Sequence, residues 1–152
     1  MSKFLSTLAV AGLLASTTAV FADTATEGTT ADAAATETMA IVVDADLAKK
    51  GKKVFKKCKA CHKVGDKAKN AVGPVLNGVF GRTPGTFEGF KYSKNMKALG
   101  ETGAVWDEAH LDEFLTKPKN MVKKTKMSFA GLKKEKDRKA VIEYLKSVSV
   151  SE

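Results

Sequence analysis

The chain has 152 residues, which allows one domain, and its 26 basic and 17 acidic residues give a net charge of +9. The charge is uneven, because residues 1–43 contain one base and four acids, so residues 44–152 contain 25 bases and 13 acids, a net of +12. Such an excess attracts negatively charged partners. Because the N-terminus predicts export, we expect no nucleic acid as partner, and an acidic protein or an anionic membrane surface is favoured instead.

Residues 1–22 have the pattern of a secretory signal peptide. Lys3 gives a positive start, residues 4–21 are apolar and small, and Val20-Phe21-Ala22 offers small residues at the two positions that a signal peptidase reads. We predict cleavage after Ala22 and a periplasmic location. The alternative is an uncleaved membrane anchor, because about 18 apolar residues are the short limit for crossing a bilayer.

Residues 23–43 contain Ala, Thr, Glu, Asp and Gly, and neither an aromatic nor a basic residue. Such a stretch cannot bury enough apolar surface to offset its ordering entropy, so we predict a disordered acidic leader or tether. The folded domain is predicted to span residues 44–152.

The first predicted helix runs over residues 45–60. Its apolar and small residues fall on one face at spacings of three, four and seven, and lysines occupy the other face: Leu47, Gly51, Val54, Phe55 and Cys58 form the apolar side. Gly51 in mid-helix costs about 1 kcal/mol relative to alanine. A close helix crossing, with Tyr144 over the bare backbone, would supply the reason.

The motif Cys58-Lys59-Ala60-Cys61-His62 is the attachment signature of c-type haem. On one helical turn both thiols face the same way, so each can form a thioether with a haem vinyl group, and the imidazole that follows can bind the iron. The alternatives are half of a zinc site, a thioredoxin-like redox pair and a structural disulfide. Haem attachment is favoured, because His62 and His110 are the only histidines and no βαβ unit is readable.

Turn residues dominate the sequence after His62. Glycine and proline recur from Gly65 to Gly89, which predicts long loops. Loops of this length argue against a compact domain unless they pack on something. A large flat cofactor would give them faces and an edge to pack on.

Two further helices are predicted in the C-terminal half. Asp107 is the expected N-cap of the second, after Trp106, and Pro118 is its expected stop. The third is predicted over residues 134–148, with its buried face made by Val141, Tyr144, Leu145 and Val148. With no convincing strand, the fold class is all-α: three main helices and long loops wrapped around one covalently bound haem.

The second axial ligand of the iron has four candidates: His110, Met96, Met121 and Met127. A histidine three residues into a helix is more often a surface or helix-end residue. Met127 lies in a loop that precedes the last helix, far enough along the chain to reach round the haem. A loop methionine beside an aromatic is otherwise usually a core filler.

Several ordered motifs resemble class I cytochrome c, in particular the bacterial cytochrome c2 group close to the mitochondrial protein. The resemblance covers roughly residues 45–150, and it is carried by residues 51–55, 58–62, 73–82, 89–93, Trp106, 125–131 and 144–146. It implies one covalently attached haem c, held by Cys58 and Cys61, with His62 and Met127 as the axial iron ligands.

The resemblance also implies roles around the haem. Pro74 would accept the His62 ring N–H through its carbonyl, a bond that orients an axial imidazole. Arg82, Tyr92 and Trp106 would hydrogen-bond the propionates. Phe129 would lie at the haem edge and Thr125 would steady the methionine loop.

Three positions depart from the family pattern. Phe114 stands where a tyrosine often bonds the methionine sulfur, Lys123-Lys124 stand where the mitochondrial pattern has Pro-Gly, and Met96 replaces a common asparagine near a propionate. We expect these changes to affect the tuning of the potential and the stiffness of the methionine loop, and not the ligation.

The function implied is one-electron transfer without enzymatic activity. A monomeric soluble carrier would shuttle between a bc1-type complex and a terminal cytochrome oxidase or photosynthetic reaction centre. Six lysines would ring the exposed haem edge and steer it to acidic docking surfaces: Lys57, Lys69, Lys119, Lys126, Lys133 and Lys134. The alternatives are a haem enzyme or ligand sensor with a labile sixth ligand, and a membrane-tethered carrier.

Overall fold

Residues 41–150 are described by a computed structural model, and within them the regular structure is helical without strands. The predicted signal peptide, and all but the last three residues of the predicted leader, lie outside the described residues. Five α-helices follow in chain order: α1 Ala45–Val54, α2 Lys94–Glu101, α3 Glu108–Thr116, α4 Pro118–Met121 and α5 Glu135–Ser147. The all-α prediction is confirmed.

The two end helices, α1 and α5, cross in close contact at Gly51. A β-carbon at this position would overlap the carbonyl oxygen of Ala140 and would lie 2.8 Å from the β-carbon of Tyr144. Next to the crossing, the rings of Phe55 and Tyr144 lie 5.1 Å apart. The predicted role of Gly51 is therefore confirmed: only a residue without a side chain lets the two backbones approach this closely.

The first helix is shorter than predicted. It ends at Val54 and continues as a 3-10 turn over Phe55–Lys57, so the prediction of a helix to residue 60 was wrong. In the segment that follows, the backbone N–H groups of Cys61 and His62 both donate to the carbonyl of Cys58. This tighter winding, rather than a regular helix, carries the two cysteines.

In the C-terminal half, the ends of α3 and α5 agree with the predicted ends to within one residue, whereas α4 was not predicted. Asp107 caps α3 as predicted, and its side chain accepts a hydrogen bond from the backbone N–H of His110. Pro118 ends α3, but it also begins α4, because proline at the first position of a helix loses no hydrogen bond. The third predicted helix is shortened by one residue at each end. Of its predicted buried face, Tyr144 and Val148 are half-buried, and Ile142 is buried instead.

Helix α2 was not predicted, because the surrounding glycines dominated the pattern. The Ser93 side chain caps it by accepting a hydrogen bond from the backbone N–H of Met96 at 3.2 Å. A serine cap followed by apolar Met96 and Leu99 three residues apart was the available signal.

A buried ion-pair network fastens α5 to α3 and to the start of α1. The Lys146 ammonium group donates to Glu143 at 2.7 Å and to Glu108 at 2.9 Å, and Glu143 also accepts from the backbone N–H of Asp44 at 2.9 Å. Burial opposes the charge on Lys146, but its hydrogen bonds with Glu143 and Glu108 outweigh burial and raise its pKa.

The core lies between these helices and the loops, and it is built of aliphatic and aromatic side chains. Its centre includes Phe55, Trp106, Phe114, Val122 and Ile142. None of the helices in residues 41–150 has the length and the hydropathy that a membrane crossing requires.

Candidate haem-binding site

A cavity opens on the side of the core that faces the long loops. The cysteine motif and the loop that carries Met127 both line it. The space between its walls is about 1240 Å³, open mouth included. Twelve of the sixteen residues predicted to bind the haem or contact partners line it: Lys57, Cys58, Cys61, His62, Pro74, Arg82, Tyr92, Trp106, Thr125, Lys126, Met127 and Phe129. Residues far apart in the chain are thus brought together around one space.

The two thiols stand at the end of the 3-10 turn and are half-buried at the cavity wall. Cys58 and Cys61 are both free, not joined in a disulfide. Burial raises the pKa of the Cys58 thiol, and the positive charge of Lys57 acts in the opposite direction. The thiols are therefore presented to the cavity from one turn of backbone.

The imidazole of His62 is fixed by the Gly73-Pro74 segment. Its Nδ1 lies 2.8 Å from the carbonyl oxygen of Pro74, as the resemblance implied. A β-carbon at Gly73 would overlap the ring and would stand 2.8 Å from both ring nitrogens. Burial lowers the pKa of His62, while the Pro74 bond raises it by a smaller amount. A neutral ring that donates from Nδ1 keeps the lone pair on Nε2 available to a metal.

Met127 is carried by a loop that side-chain hydrogen bonds hold in place. Its backbone N–H donates to the Thr125 hydroxyl at 3.2 Å. The Lys126 ammonium group donates to the carbonyl of Lys91 at 2.7 Å, which joins this loop to the loop that carries Tyr92. Lys124 has φ +56°, and it is the one residue other than glycine with positive φ in residues 41–150.

The three predicted propionate-binding residues, Arg82, Tyr92 and Trp106, come from the loops before α2 and α3. Arg82 donates to the carbonyl of Asn77 at 2.8 Å, and its guanidinium group lies 4.7 Å from the centre of the Phe87 ring. Burial raises the pKa of Tyr92, partly offset by the charge of Arg82. The phenol is therefore protonated at neutral pH and can donate a hydrogen bond to an anionic group.

The other candidates for the second axial position have different surroundings. His110 is not part of the cavity lining; its Nδ1 lies 2.9 Å from Asp107 at the start of α3, which is the helix-end role considered for it. Met121 is also absent from the lining. Met96 is buried in the cavity wall, so two methionines, Met96 and Met127, line the cavity.

Most of the remaining wall is apolar, and sequence reasoning had not assigned most of it to the site. The apolar side chains are Val72, Leu76, Val79, Phe90, Leu111, Phe114, Leu115 and Leu145. Helix α3 supplies three of these side chains, and their spacing of three and four residues was the available signal.

The six lysines predicted to contact partners are all exposed, but they differ in position. Lys57 and Lys126 line the cavity, whereas Lys69, Lys119, Lys133 and Lys134 are absent from its lining. Lys57 lies 3.9 Å from Asp137 of α5.

The lining fits a covalently attached haem. Two adjacent thiols, an imidazole with a free Nε2, a thioether from a distant loop, apolar walls and polar groups at the Arg82 and Tyr92 side are the donor set that such a group requires. Within residues 41–150, no three His, Cys, Asp or Glu side chains are grouped so as to hold a bare metal ion.

This fold and this site define a c-type cytochrome with one haem bound through Cys58 and Cys61. Comparison with known proteins gives the same result, because residues 48–149 match the family model for cytochrome c. The chain belongs to the cytochrome c family, within the class I cytochrome c2 group, and it is an electron-transfer protein.

Known relatives match this chain over most of their own length. Cytochrome c2 of Afifella marina is 54% identical over 102 residues, which are 67% of this chain and 82% of that protein. Cytochrome c-554 of Methylosinus trichosporium is 55% identical over 95 residues, 62% of this chain and 70% of that protein. The solved structure of cytochrome c2 from Rhodospirillum centenum matches 67% of this chain and 98% of its own, with 42% identity and a TM-score of 0.64.

Proposed function

We propose that this cytochrome is a soluble periplasmic one-electron carrier whose iron is held between His62 and Met127. The observation that carries the proposal is that both side chains line the one cavity that also contains Cys58 and Cys61. When bound, the haem supplies reversible one-electron chemistry between ferrous and ferric iron. With an imidazole and a thioether as ligands, no open position is left for a substrate or for oxygen.

The chain's own residues fix the properties of the site. Pro74 orients His62 by accepting its Nδ1 hydrogen, and Thr125 anchors the backbone at Met127. A thioether ligand and apolar walls both favour the ferrous state and therefore raise the reduction potential. Because these hydrogen bonds hold both ligands in place, the ligands need move little when the charge changes.

Arg82, Tyr92 and Trp106 are the proposed hydrogen-bond donors to the propionates. All three line the cavity, and Trp106 is buried. The Arg82 guanidinium is already oriented by Asn77, so it can receive an anionic group without further ordering. Phe129 also lines the cavity, and its ring is proposed to cover the haem edge.

The proposed partners are a bc1-type complex as donor and a terminal cytochrome oxidase or photosynthetic reaction centre as acceptor. The charge of the domain supports acidic docking surfaces on both. Steering by such charge can give association rates of up to about 10⁸–10⁹ M⁻¹s⁻¹ at low salt. We expect the rate of electron transfer to fall steeply with ionic strength, and a rate independent of salt would contradict the steering.

Replacing Met127 by alanine tests the ligation directly. We expect the holoprotein to lose its low-spin spectrum in both oxidation states, and its midpoint potential to fall by about 0.1 V or more, because axial-ligand identity sets haem potentials over about 0.8 V. Met121→Ala is the matched control, since Met121 is half-buried outside the cavity, and it is expected to leave both quantities unchanged. An unchanged spectrum and potential in Met127→Ala would falsify the proposed ligand.

A haem enzyme or ligand sensor is the second candidate, and the backbone at Lys124 is the observation that favours it. A side-chain-bearing residue in the left-handed region costs about 1–2 kcal/mol, so the methionine loop contains some strain. If the sixth ligand were labile, the native ferrous protein would bind carbon monoxide rapidly. We expect slow binding, because Thr125 and Lys126 hold the loop.

The alternative of a membrane-tethered carrier concerns the N-terminal segment. We propose cleavage after Ala22, so mass spectrometry of the protein isolated from its natural host is expected to find a chain that begins at Asp23. A mature chain that retains residues 1–22 would indicate the anchor instead.

A further inference from the structure

The methionine loop, residues 122–134 between α4 and α5, returns to the helices at Leu132. The backbone N–H of Leu132 donates to the carbonyl of Leu115 near the end of α3 at 2.8 Å, and the Leu132 side chain is buried. Gly131 lies against the carbonyl oxygen of Thr116, which a β-carbon at this position would overlap. The C-terminal end of the loop is therefore packed directly on the last turn of α3.

The guanidinium group of Arg138, near the start of α5, joins this end of the loop to both helices. Its Nη1 donates to the carbonyl of Leu132 at 3.0 Å and to that of Lys133 at 3.3 Å. Its Nε donates to the Asp112 carboxylate of α3 at 2.7 Å, and only 12% of the Arg138 side chain is exposed. One planar group with its donors in a fixed fork thus fastens α3, α5 and the methionine loop to one another.

Met127 lies between this contact and a second one on its N-terminal side. There the Thr125 hydroxyl accepts the backbone N–H of Met127 at 3.2 Å, a bond between two neutral groups. A hydrogen bond between an ionised donor and an ionised acceptor is roughly twice as strong, so the Arg138 end is the firmer of the two. A short segment fixed at both ends leaves its site only when one end is released, and the free energy of that opening is the strength of the contacts it breaks.

We propose that Arg138, held in place by Asp112, is a positioning residue for Met127. It fixes the C-terminal end of the methionine loop and thereby limits displacement of the thioether from the iron. Neither Arg138 nor Asp112 lines the cavity, so the effect passes through the backbone at Leu132 and Lys133. This inference rests on the ligation by Met127 proposed above.

Amide hydrogen exchange of the ferrous holoprotein, followed by NMR, tests the inference without a variant. If the two ends differ in strength, the Met127 amide exchanges by local opening, whereas the Leu132 amide stays protected until more of the fold opens. We expect Leu132 to exchange at least about tenfold more slowly than Met127 after correction for intrinsic rates. Equal rates would mean that the C-terminal end opens with the rest of the loop, and the proposal would be overturned.

Asp112→Ala and Glu113→Ala are a matched pair of variants in α3. Each removes one carboxylate and introduces the strongest helix former, so neither weakens the helix through propensity. Glu113 is exposed and takes part in no ion pair within residues 41–150. We expect Asp112→Ala to raise the rate at which imidazole displaces the sixth ligand by about tenfold, because a hydrogen bond to a charged group is lost. Glu113→Ala is expected to leave the rate unchanged, and an equal increase in both variants would overturn the proposal.

Two further measurements distinguish positioning from general stabilisation. In Asp112→Ala, the Leu132 amide is expected to lose its extra protection while amides in the middle of α5 keep theirs. A loss spread evenly over both helices would overturn the proposal. Arg138→Gln is expected to speed imidazole displacement at least as much as Asp112→Ala, and the double variant no more than Arg138→Gln alone. Additive effects would mean that the two side chains act separately, against the proposal. Failure of the ligation would be recognised separately, because Met127→Ala would then leave the spectrum unchanged whatever the exchange of the Leu132 amide.

Discussion

The two walls of the haem cavity are held by different kinds of contact. On the His62 side, the ring is bonded to the Pro74 carbonyl at 2.8 Å and lies against the bare backbone of Gly73, so backbone and ring atoms fit directly. On the Met127 side, a loop is fastened by the side chains of Thr125 and Lys126, and it contains a non-glycine residue in the left-handed region.

This difference indicates where the site can be adjusted. A wall made of close backbone contacts tolerates almost no change, because any added atom must displace the ring. A loop held by single side-chain hydrogen bonds can open locally, since each such bond contributes only about 1 kcal/mol. We therefore expect the His62 side to determine whether the site forms, and the Met127 side to determine how readily the sixth ligand exchanges.

Replacing Gly73 by alanine is expected to have the largest effect. The new methyl group would overlap the His62 ring, so either the ring or the Gly73-Pro74 backbone must move. Overpacking of this kind costs about 3 kcal/mol in the free energy of unfolding. Thermal or denaturant unfolding of the holoprotein measures the loss. Val72→Ala is the control, because Val72 is 77% exposed and its truncation is expected to change stability by less than about 0.5 kcal/mol. Equal stability of Gly73→Ala and wild type would mean that this wall is no stiffer than the other.

Replacing Lys126 by methionine tests the Met127 side. The change removes the hydrogen bond to Lys91, so opening of the loop becomes easier by about 1 kcal/mol, or roughly fivefold. The rate at which imidazole displaces the sixth ligand is expected to rise by that factor, with little change in global stability. Lys123→Met removes the same charge from an exposed neighbour and is expected to leave the exchange rate unchanged. If both variants exchange at the same rate, the bond to Lys91 does not hold the loop.

Replacing Lys124 by glycine is expected to act in the opposite direction. Glycine adopts positive φ without steric cost, although it also adds entropy to the unfolded chain. The net stabilisation of the closed loop is therefore about 0.5 kcal/mol. The imidazole exchange rate is expected to fall about twofold. At Lys123, where φ is not positive, glycine should bring no such gain. Faster exchange in Lys124→Gly would show that the left-handed backbone does not strain this loop.

The sequence predicts the His62 side better than the Met127 side, for a physical reason. The cysteine motif and Gly73-Pro74 are short local patterns, and their geometry follows from one turn of backbone and one hydrogen bond. The contact between Lys126 and Lys91 joins residues that are far apart in the chain, so no local pattern indicates it, and Lys126 had been assigned to partners alone. The left-handed backbone at Lys124 was also unforeseen, although the departure from Pro-Gly at this position pointed to a change in the loop.

The helices show the same limit. Caps and apolar spacing located α3 and α5 to within one residue, because Asp107 and the α5 stripe are strong local signals. The end of α1 was misplaced, since the change from α-helix to 3-10 turn depends on how the cysteine motif meets the cavity wall. Helix α2 was missed because the glycines around it dominated the pattern and outweighed the signal of its serine cap.

The smallest expected effect concerns Asp107, at the start of helix α3, which lines the cavity with Leu111, Phe114 and Leu115. The backbone N–H of His110 donates to its carboxylate and holds the pKa of Asp107 below its usual range. Because the folded-state pKa is the lower one, the stabilisation is present above the unfolded value of about 3.9 and is lost as the pH falls through the folded value.

Asp107→Asn keeps a capping side chain and removes the charge. It is expected to lower the free energy of unfolding by about 0.3 kcal/mol near pH 6, and the effect is small because the carboxylate is 46% exposed. Unfolding measured at pH 6 and at pH 3 should show the difference between variant and wild type shrinking at the lower pH. Asp46→Asn is a reference, since it removes an exposed carboxylate from the first turn of α1. If the difference at Asp107 grew towards acid pH, the charged form would not be the one that stabilises α3, and support of the cavity by this helix would have to come from its apolar side chains alone.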